Sequence, residues 1–276
     1  MAMKPKKPIT AGMRDAVLDT YDDITASKPE KSLTVGLRKR SGRNNAGRIT
    51  VRHRGGGHKR LYRKIDFLRQ NERVAVVQSI EYDPNRTARI ALVRYEDGRK
   101  SYIIAPHKLR VGDKIGGGED KPLKTGYTRA LKSMPTGTLV HNVEMTPGKG
   151  GQLVRSAGAA ARVMAHEGKY TLLEFPSGER RSILGACLAT VGVVSNIDQK
   201  NRKLGKAGRK RNLGIRPTVR GSAMAPNAHP HGGGEGRAPI GLKHPKTPTG
   251  KPALGVRTRR NKTSNRLILK RRYQRN

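Results

Sequence analysis

Residues 229–237 read HPHGGGEGR. His229, His231 and Glu235 are of the types that hold first-row metal ions, and a histidine beside a carboxylate is also a workable acid–base couple. The same stretch is nearly bare backbone, which could instead press against a chain of phosphates. The chemistry available is therefore metal ligation, proton transfer or nucleic-acid contact, and the surrounding residues decide between them.

His-x-His-x-x-x-Glu is the first half of a cupin metal motif. Cupins set His-x-His on a strand, so that both rings face one side. Here Pro230 separates the rings, Pro226 precedes them and three glycines follow, which describes a loop and not a sheet strand. The second cupin histidine motif is missing, and no other catalytic constellation surrounds Glu235. Neither a metal site nor a cofactor is expected, and the chain is not expected to be an enzyme. A second glycine-rich stretch, RHRGGGHKR at 52–60, brackets three glycines with Arg52, Arg54, Lys59 and Arg60. Glycines let backbone N–H groups approach phosphate oxygens, and the flanking cations neutralise charge. Walker-type spacing is absent throughout, so nucleotide hydrolysis is not expected.

The elements that must position these loops follow from where charge and apolar residues sit. The chain has 276 residues, 59 Lys and Arg, and 20 Asp and Glu, a formal charge of +39. Such a protein repels itself unless it lies beside a dense polyanion. Nucleic acid is the first candidate and an anionic membrane surface the weaker one. No run of 18 apolar residues exists to span a bilayer, and the opening MAMKPKKPIT has no apolar core of a secretory signal. One cysteine, Cys187, allows no intrachain disulfide and fits a reducing cytoplasm.

The charge is uneven. Residues 38–64 carry eleven cations and no acid, and residues 199–276 carry 22 cations and one acid, Glu235. Between them, residues 65–198 carry 20 basic and 14 acidic side chains and seven of the ten aromatic residues. The C-terminal third lacks the apolar surface to offset its conformational entropy, and is expected to be ordered by its partner.

In the middle part the period is two. RVAVVQSIEY (73–82), RTARIALVRY (86–95) and RKSYIIA (99–105) read as a three-stranded meander turned by DPN and EDG. GTLVHNVEM, GQLVRSA, AARVMAH, KYTLLEF, RRSIL and ATVGVVS form a second set between 137 and 195, with KIGGGED (114–120) as the boundary. Short strands at this spacing suggest two small closed barrels that pack on each other. One short helix is expected after Asn196, as N-cap, ending near Gly205.

The blocks SGRNNAGRITVRHRGGGHKRLYRKIDF (41–67), EYDPNRTARIALV (81–93), HNVEMTPGKGGQLVRSAG (141–158), GKAGRK (205–210), RPTVRGSAM (216–224) and HPHGGGEGR (229–237) resemble, in order, the large ribosomal subunit protein L-two family, of bacterial type. The resemblance runs from about residue 30 to the C-terminus. It implies an all-β fold: a basic N-terminal extension (1–60), an OB-fold barrel (61–120), an SH3-like barrel (121–198) and a basic Gly/Pro-rich C-terminal extension (199–276), both extensions long and irregular. It further implies a structural, primary rRNA-binding role in the large subunit, supporting subunit association, tRNA binding and the peptidyl transferase centre. The implied partners are large-subunit rRNA, other ribosomal proteins and the small subunit at the intersubunit face, with no membrane and no homo-oligomer, on cytoplasmic ribosomes. The expected RNA contacts are Arg38, Lys39, Arg40, Arg43, Arg48, Arg52, Arg54, His58, Lys59, Arg60, Arg86, Lys149, Arg155, Lys206, Arg209, Arg216, Arg220, His229, His231 and Arg237. Arg86 and Arg155 match arginines with key rRNA contacts. His229 matches a histidine near the peptidyl transferase centre once proposed to take part in peptide bond formation, and is read as support. The sequence departs from the family at Thr249, where a tryptophan is usual.

Two readings from other classes compete: a histone-like architectural DNA protein, which the charge alone allows, and a nucleic-acid-processing enzyme built on His229, His231 and Glu235. β-Barrels with long asymmetric extensions fit one folded RNA better than a repetitive duplex.

Overall fold

Alternating burial along Ala75–Glu81 marks a strand with one face to a core, as the apolar–polar period requires. The computed structural model describes residues 3–69, 73–118, 122–260 and 262–272. Contacts group them into two units. One comprises the described residues up to Arg38, Lys59–Ala207 and those from Asn265 on; the other is Lys39–His58 with Gly208–Ser264.

The first unit is all β apart from short 3-10 turns. Two ribbons open it: β1 (Met3–Pro5) with β2 (Val17–Asp19), and β3 (Thr34–Gly36) with β4 (Leu61–Arg63). The OB-fold barrel is built on β5 (Ala75–Glu81), β6 (Ile90–Tyr95), β7 (Lys100–Ile104) and β8 (Lys114–Ile115), in the order β7-β6-β5-β8, all antiparallel. A register shift between Val77 and Ser79 bends the sheet around Val77, Val93, Ile103 and Ile115. The SH3-like barrel follows: β9 (Thr128–Ala130), β10 (Leu139–His141), β11 (Val143–Glu144), β12 (Gly151–Leu153), β13 (Ala161–Glu167), β14 (Tyr170–Glu174), β15 (Arg180–Leu184) and β16 (Leu188–Val191). Its core is Leu131, Val140, Val163, Leu173 and Cys187 with their neighbours.

Several expectations need correction. The stretch 137–145 is not one strand. Asn142 lies in the left-handed region (φ 50) and divides it, sending β10 to β13 and β16, and β11 to β12. The strand expected from residue 86 begins at Ile90, because Asp83–Arg86 form a side-chain-locked turn. No α-helix follows Asn196. That residue is itself left-handed, its side chain caps nothing, and Ile197–Asn201 is a 3-10 turn. The one α-helix among the described residues is α1, Ala207–Asn212. Its three cations lie in the last turn, where they suit the helix dipole. Gly214, at φ 85, ends it by donating to Arg211 O. The C-terminal segment returns as β17 (Ile268–Lys270), which pairs with β15 and completes the order β17-β15-β14-β13-β10-β16-β9. In the boundary expected at 114–120, Lys114–Ile115 is β8, and residues 119–120 lie outside those described.

The N-terminal segment is structural. It runs as a strap whose acids hold the first barrel. Arg89, wholly buried, is gripped by Asp19 at 2.7 Å and Asp23 at 2.9 Å. Burial opposes its charge, but the two carboxylates outweigh it and hold its pKa above the usual value. Tyr102 Oη donates to Glu81 at 2.7 Å and accepts the Glu30 N–H at 2.8 Å. The barrels themselves are joined by backbone: His107 N–H to Val193 O (2.7 Å) and Ser195 N–H to Ala105 O (3.0 Å), beside an apolar seam of Ala88, Ile104, Val194, Ile65 and Phe67.

Candidate nucleic-acid interface

The seam brings together two arginines that are 69 positions apart in the chain. Arg86 sits on the DPN turn. Asp83, fully buried, accepts the Asn85 N–H at 2.9 Å and the Arg86 Nε–H at 2.6 Å, so one carboxylate closes the turn and orients the guanidinium. Arg155 follows β12 and donates to Gly151 O at 3.1 Å. Both guanidiniums lie over Phe67, Arg155 at 4.6 Å and Arg86 at 5.8 Å from its centroid, a cation–π geometry. Phe67 is itself fixed, because its carbonyl accepts the Gly151 N–H at 2.8 Å. Arg60 reaches the same turn through Pro84 O at 3.0 Å. Ala157 N–H donates to Thr87 Oγ1 at 3.1 Å, closing the junction from the other barrel. The result is a forked cationic site on a half-buried ring, with Arg86 half-buried, Arg155 exposed, and exposed Lys149 on the neighbouring 145–150 loop. Phe67 was not among the expected contacts. An aromatic residue at the end of the basic run 38–64 was its only sequence signal.

Of the other expected contacts, Arg38, Lys59 and Lys206 belong to the same unit and are exposed. Those of the second unit, Lys39, Arg40, Arg43, Arg48, Arg52, Arg54, His58, Arg216, Arg220 and Arg237, are exposed too, and Arg209 is half-buried. Here the glycines serve the chain's own packing. In RHRGGGHKR the Gly55 N–H donates to Gly214 O (3.0 Å) and the His58 N–H to Asn212 O (3.2 Å). A Cβ on Gly57 would lie 2.8 Å from Gly214 N. Gly56 alone of the three has open space around it. Lys39 Nζ caps Gly57 O.

The HPHGGGEGR loop is built the same way. His229 and His231 are buried, the only buried residues among those described in this unit. His229 Nδ1 accepts the His231 N–H at 3.0 Å, and His231 Nε2 accepts the Lys246 N–H at 2.6 Å. The rings are 5.0 Å apart, tilted by 45°. A Cβ on Gly221 would meet the His229 ring at 2.5 Å, and one on Gly232 would meet Ala225 O at 2.3 Å. The histidines thus act as acceptors that stitch 225–246 into one knot. Glu235 is exposed, and among the described residues no cluster of His, Cys, Asp or Glu is arranged to hold a metal ion. Thr249 lies in a turn closed by Gly250 N–H to Thr247 O (2.9 Å), its hydroxyl 3.1 Å from that of Thr247. Among the described residues no helix is long and apolar enough to cross a membrane.

Residues 30–116 match the family model described as Ribosomal Proteins L2, RNA binding N-terminal domain, and residues 124–250 match the one described as Ribosomal Proteins L2, C-terminal domain.

Proposed function

The chain belongs to the ribosomal protein L2 family, a structural, RNA-binding family of the large ribosomal subunit, and from that premise we propose that it anchors large-subunit rRNA at the Arg86–Phe67–Arg155 fork, while its glycine-rich loops extend the contact. The observation that carries this reading is the convergence of both arginines on one ring at the junction of two barrels. A rigid guanidinium loses little freedom when it grips a phosphate, and its fork can hold two oxygens at once. The exposed cations of 38–59 and 206–237 supply the rest of the neutralising charge. By this role the protein supports subunit association, tRNA binding and the peptidyl transferase centre.

It does so without catalysing peptide transfer. A general base needs a ring nitrogen that can reach the substrate. His229 Nδ1 is taken by the His231 N–H, and the ring lies against Gly221 in a buried position. The imidazole is built in as a structural acceptor.

Titrating rRNA binding against salt tests the reading. Each neutralised phosphate contributes a log–log slope of about −0.7 to −0.9, so ten contacts give on the order of −7 or steeper. A slope near −2 would mean that most cations face water or protein. Competition with duplex DNA should leave rRNA binding intact; equal competition would favour an architectural DNA protein.

A further inference from the structure

The outer face of the first barrel's sheet carries a line of cations. Arg94 on β6 stands opposite Lys100 on β7 and opposite Val76 on β5, and Val76 stands opposite Lys114 on β8. Residues directly opposite in a ladder share a face. The chain neighbours Ala75, Val77, Val93, Tyr95 and Ile115 fill the core, so this row points outward, and all four of its side chains are exposed. It crosses the whole sheet from β7 to β8, about 14 Å at the usual strand spacing. Further along the same face, Leu33 and Ile65 cover Ile90, Leu92 and Tyr102. The apolar half of the face is hidden, and the charged half is left open.

Like charges opposite one another in a ladder are destabilising, and the nearby acids relieve only one end of the row. Glu30 pairs with Lys100 at 2.6 Å. Asp97 is taken by Arg73 at 2.8 Å and Arg99 at 3.6 Å. Asp113 accepts the Arg110 N–H at 2.7 Å. Among the described residues, the side chains of Arg94 and Lys114 make no hydrogen bond or ion pair. A repulsion kept on an open face calls for an anion from outside. The row has one valine and no buried apolar anchor of the kind that centres a protein interface. A line of cations suits a chain of phosphates, and exposed Val76 between them leaves a smooth floor for the sugar that joins two phosphates. We propose that this row is a second contact for the rRNA backbone, made through charge and not through bases. It lies at the far end of β6 from the Arg86 turn, so it holds a different stretch of backbone from the fork. The proposal rests on the RNA-binding reading above, and the experiment separates the two.

The test combines hydroxyl-radical footprinting of the large-subunit rRNA backbone with affinity measured against salt, on the full-length protein. Arg94→Thr with Lys114→Thr should re-expose one protected backbone stretch, and Arg155→Ala a different one. Each lost phosphate contact lowers the log–log salt slope by about 1, so the double variant should lose about 2. Without RNA, it should melt cooperatively at a denaturant midpoint no lower than that of the wild type, because the repulsion is gone. A slope and footprint like those of the wild type overturn the row, and would fit an acidic protein as its occupant. Re-exposure of one and the same stretch by both variants overturns it as a separate contact. No stretch protected by wild-type protein overturns the RNA-binding reading and the row together. If the double variant loses its cooperative melt, Val76→Glu decides. A carboxylate set between the two cations should raise the midpoint through cross-strand pairs and lower the salt slope. An unchanged slope in that variant overturns the row.

Discussion

The two units of this chain carry cations to the same end on different physical principles. In the barrel unit each important arginine is built into its surroundings. Arg89 is sealed between two carboxylates, Arg86 is keyed to buried Asp83, and Arg155 lies on Phe67. Apolar cores hold those partners still. In the unit of 39–58 and 208–264 the only buried residues described are two histidines. Turns, glycine contacts and backbone hydrogen bonds set its shape, and its described cations other than half-buried Arg209 stand in solvent. Position is thus supplied by packed partners in one unit, buried for Arg86 and Arg89 and an aromatic ring for exposed Arg155, and by local backbone geometry in the other. A unit of the second kind has little apolar burial of its own, so its stability should depend on the polyanion it meets.

The largest effect should come from breaking the best-buried arginine. Arg89→Ala leaves Asp19, 3 % exposed at its side chain, as an uncompensated buried charge. Losing one partner of such a pair costs about 3–5 kcal/mol, read as a lower denaturant midpoint. No single Lys or Arg change within 208–264 should shift that midpoint by more than about 0.5 kcal/mol. A comparable shift there would erase the contrast.

Acid should act on the barrels next. Burial pushes the His141 pKa down to about 4, below its ordinary value near 6.5. The unfolded chain therefore binds the proton first. The stability His141 contributes is fully present above about pH 6.5 and is lost as pH falls through about 4, on the order of 3 kcal/mol. His141→Gln should flatten that part of the pH–stability curve; an unchanged curve would mean that the ring is open to water.

The two arginines of the fork should separate. Arg86→Ala strips a buried carboxylate of its partner, costing about 1–3 kcal/mol of stability besides weakening rRNA binding. Arg155→Ala should leave the melt nearly unchanged and cost binding roughly 1.5–3 kcal/mol. Lys251→Ala, in the exposed unit, should cost binding less than either. Equal losses at all three would indicate diffuse attraction with no privileged site.

Protease should then find the seam in stability. Without RNA, cuts should fall within 39–58 and 208–264 well before the barrels are opened, and rRNA should suppress them. Survival of 208–264 in the free protein would sink the idea that its partner supplies its stability. The smallest effect is expected at His229. His229→Gln subunits selected for complete assembly should keep most of their peptidyl transfer rate, with the loss appearing in assembly. A lost acid–base group costs about 10²–10⁴-fold, so a hundredfold fall in intact particles would restore the catalytic reading.

Much of this molecule was legible from its residues. The period of two, with DPN and EDG between, located β5, β6 and β7 to within a few positions, because one face of each strand must be apolar to make a core. The loop character of HPHGGGEGR followed from Pro230 and three glycines. The uneven charge pointed to a polyanion, and quoted blocks pointed to the family. The misses share one cause. Asn196 reads as a helix cap, yet its side chain turns back to Thr87 O, more than a hundred positions away, and the backbone goes left-handed. Phe67 looks like one more core residue until residues 86 and 155 are folded onto it. The acids of the N-terminal segment look like solvated charge until Arg89 is buried between them. The short LILK run near the C-terminus becomes a strand only because β15 offers an edge. Patterns of period two, turn residues and net charge act over a few neighbours, so the sequence by itself determined them. Which distant partner a side chain meets depends on how the barrels close, and only the tertiary structure decided that.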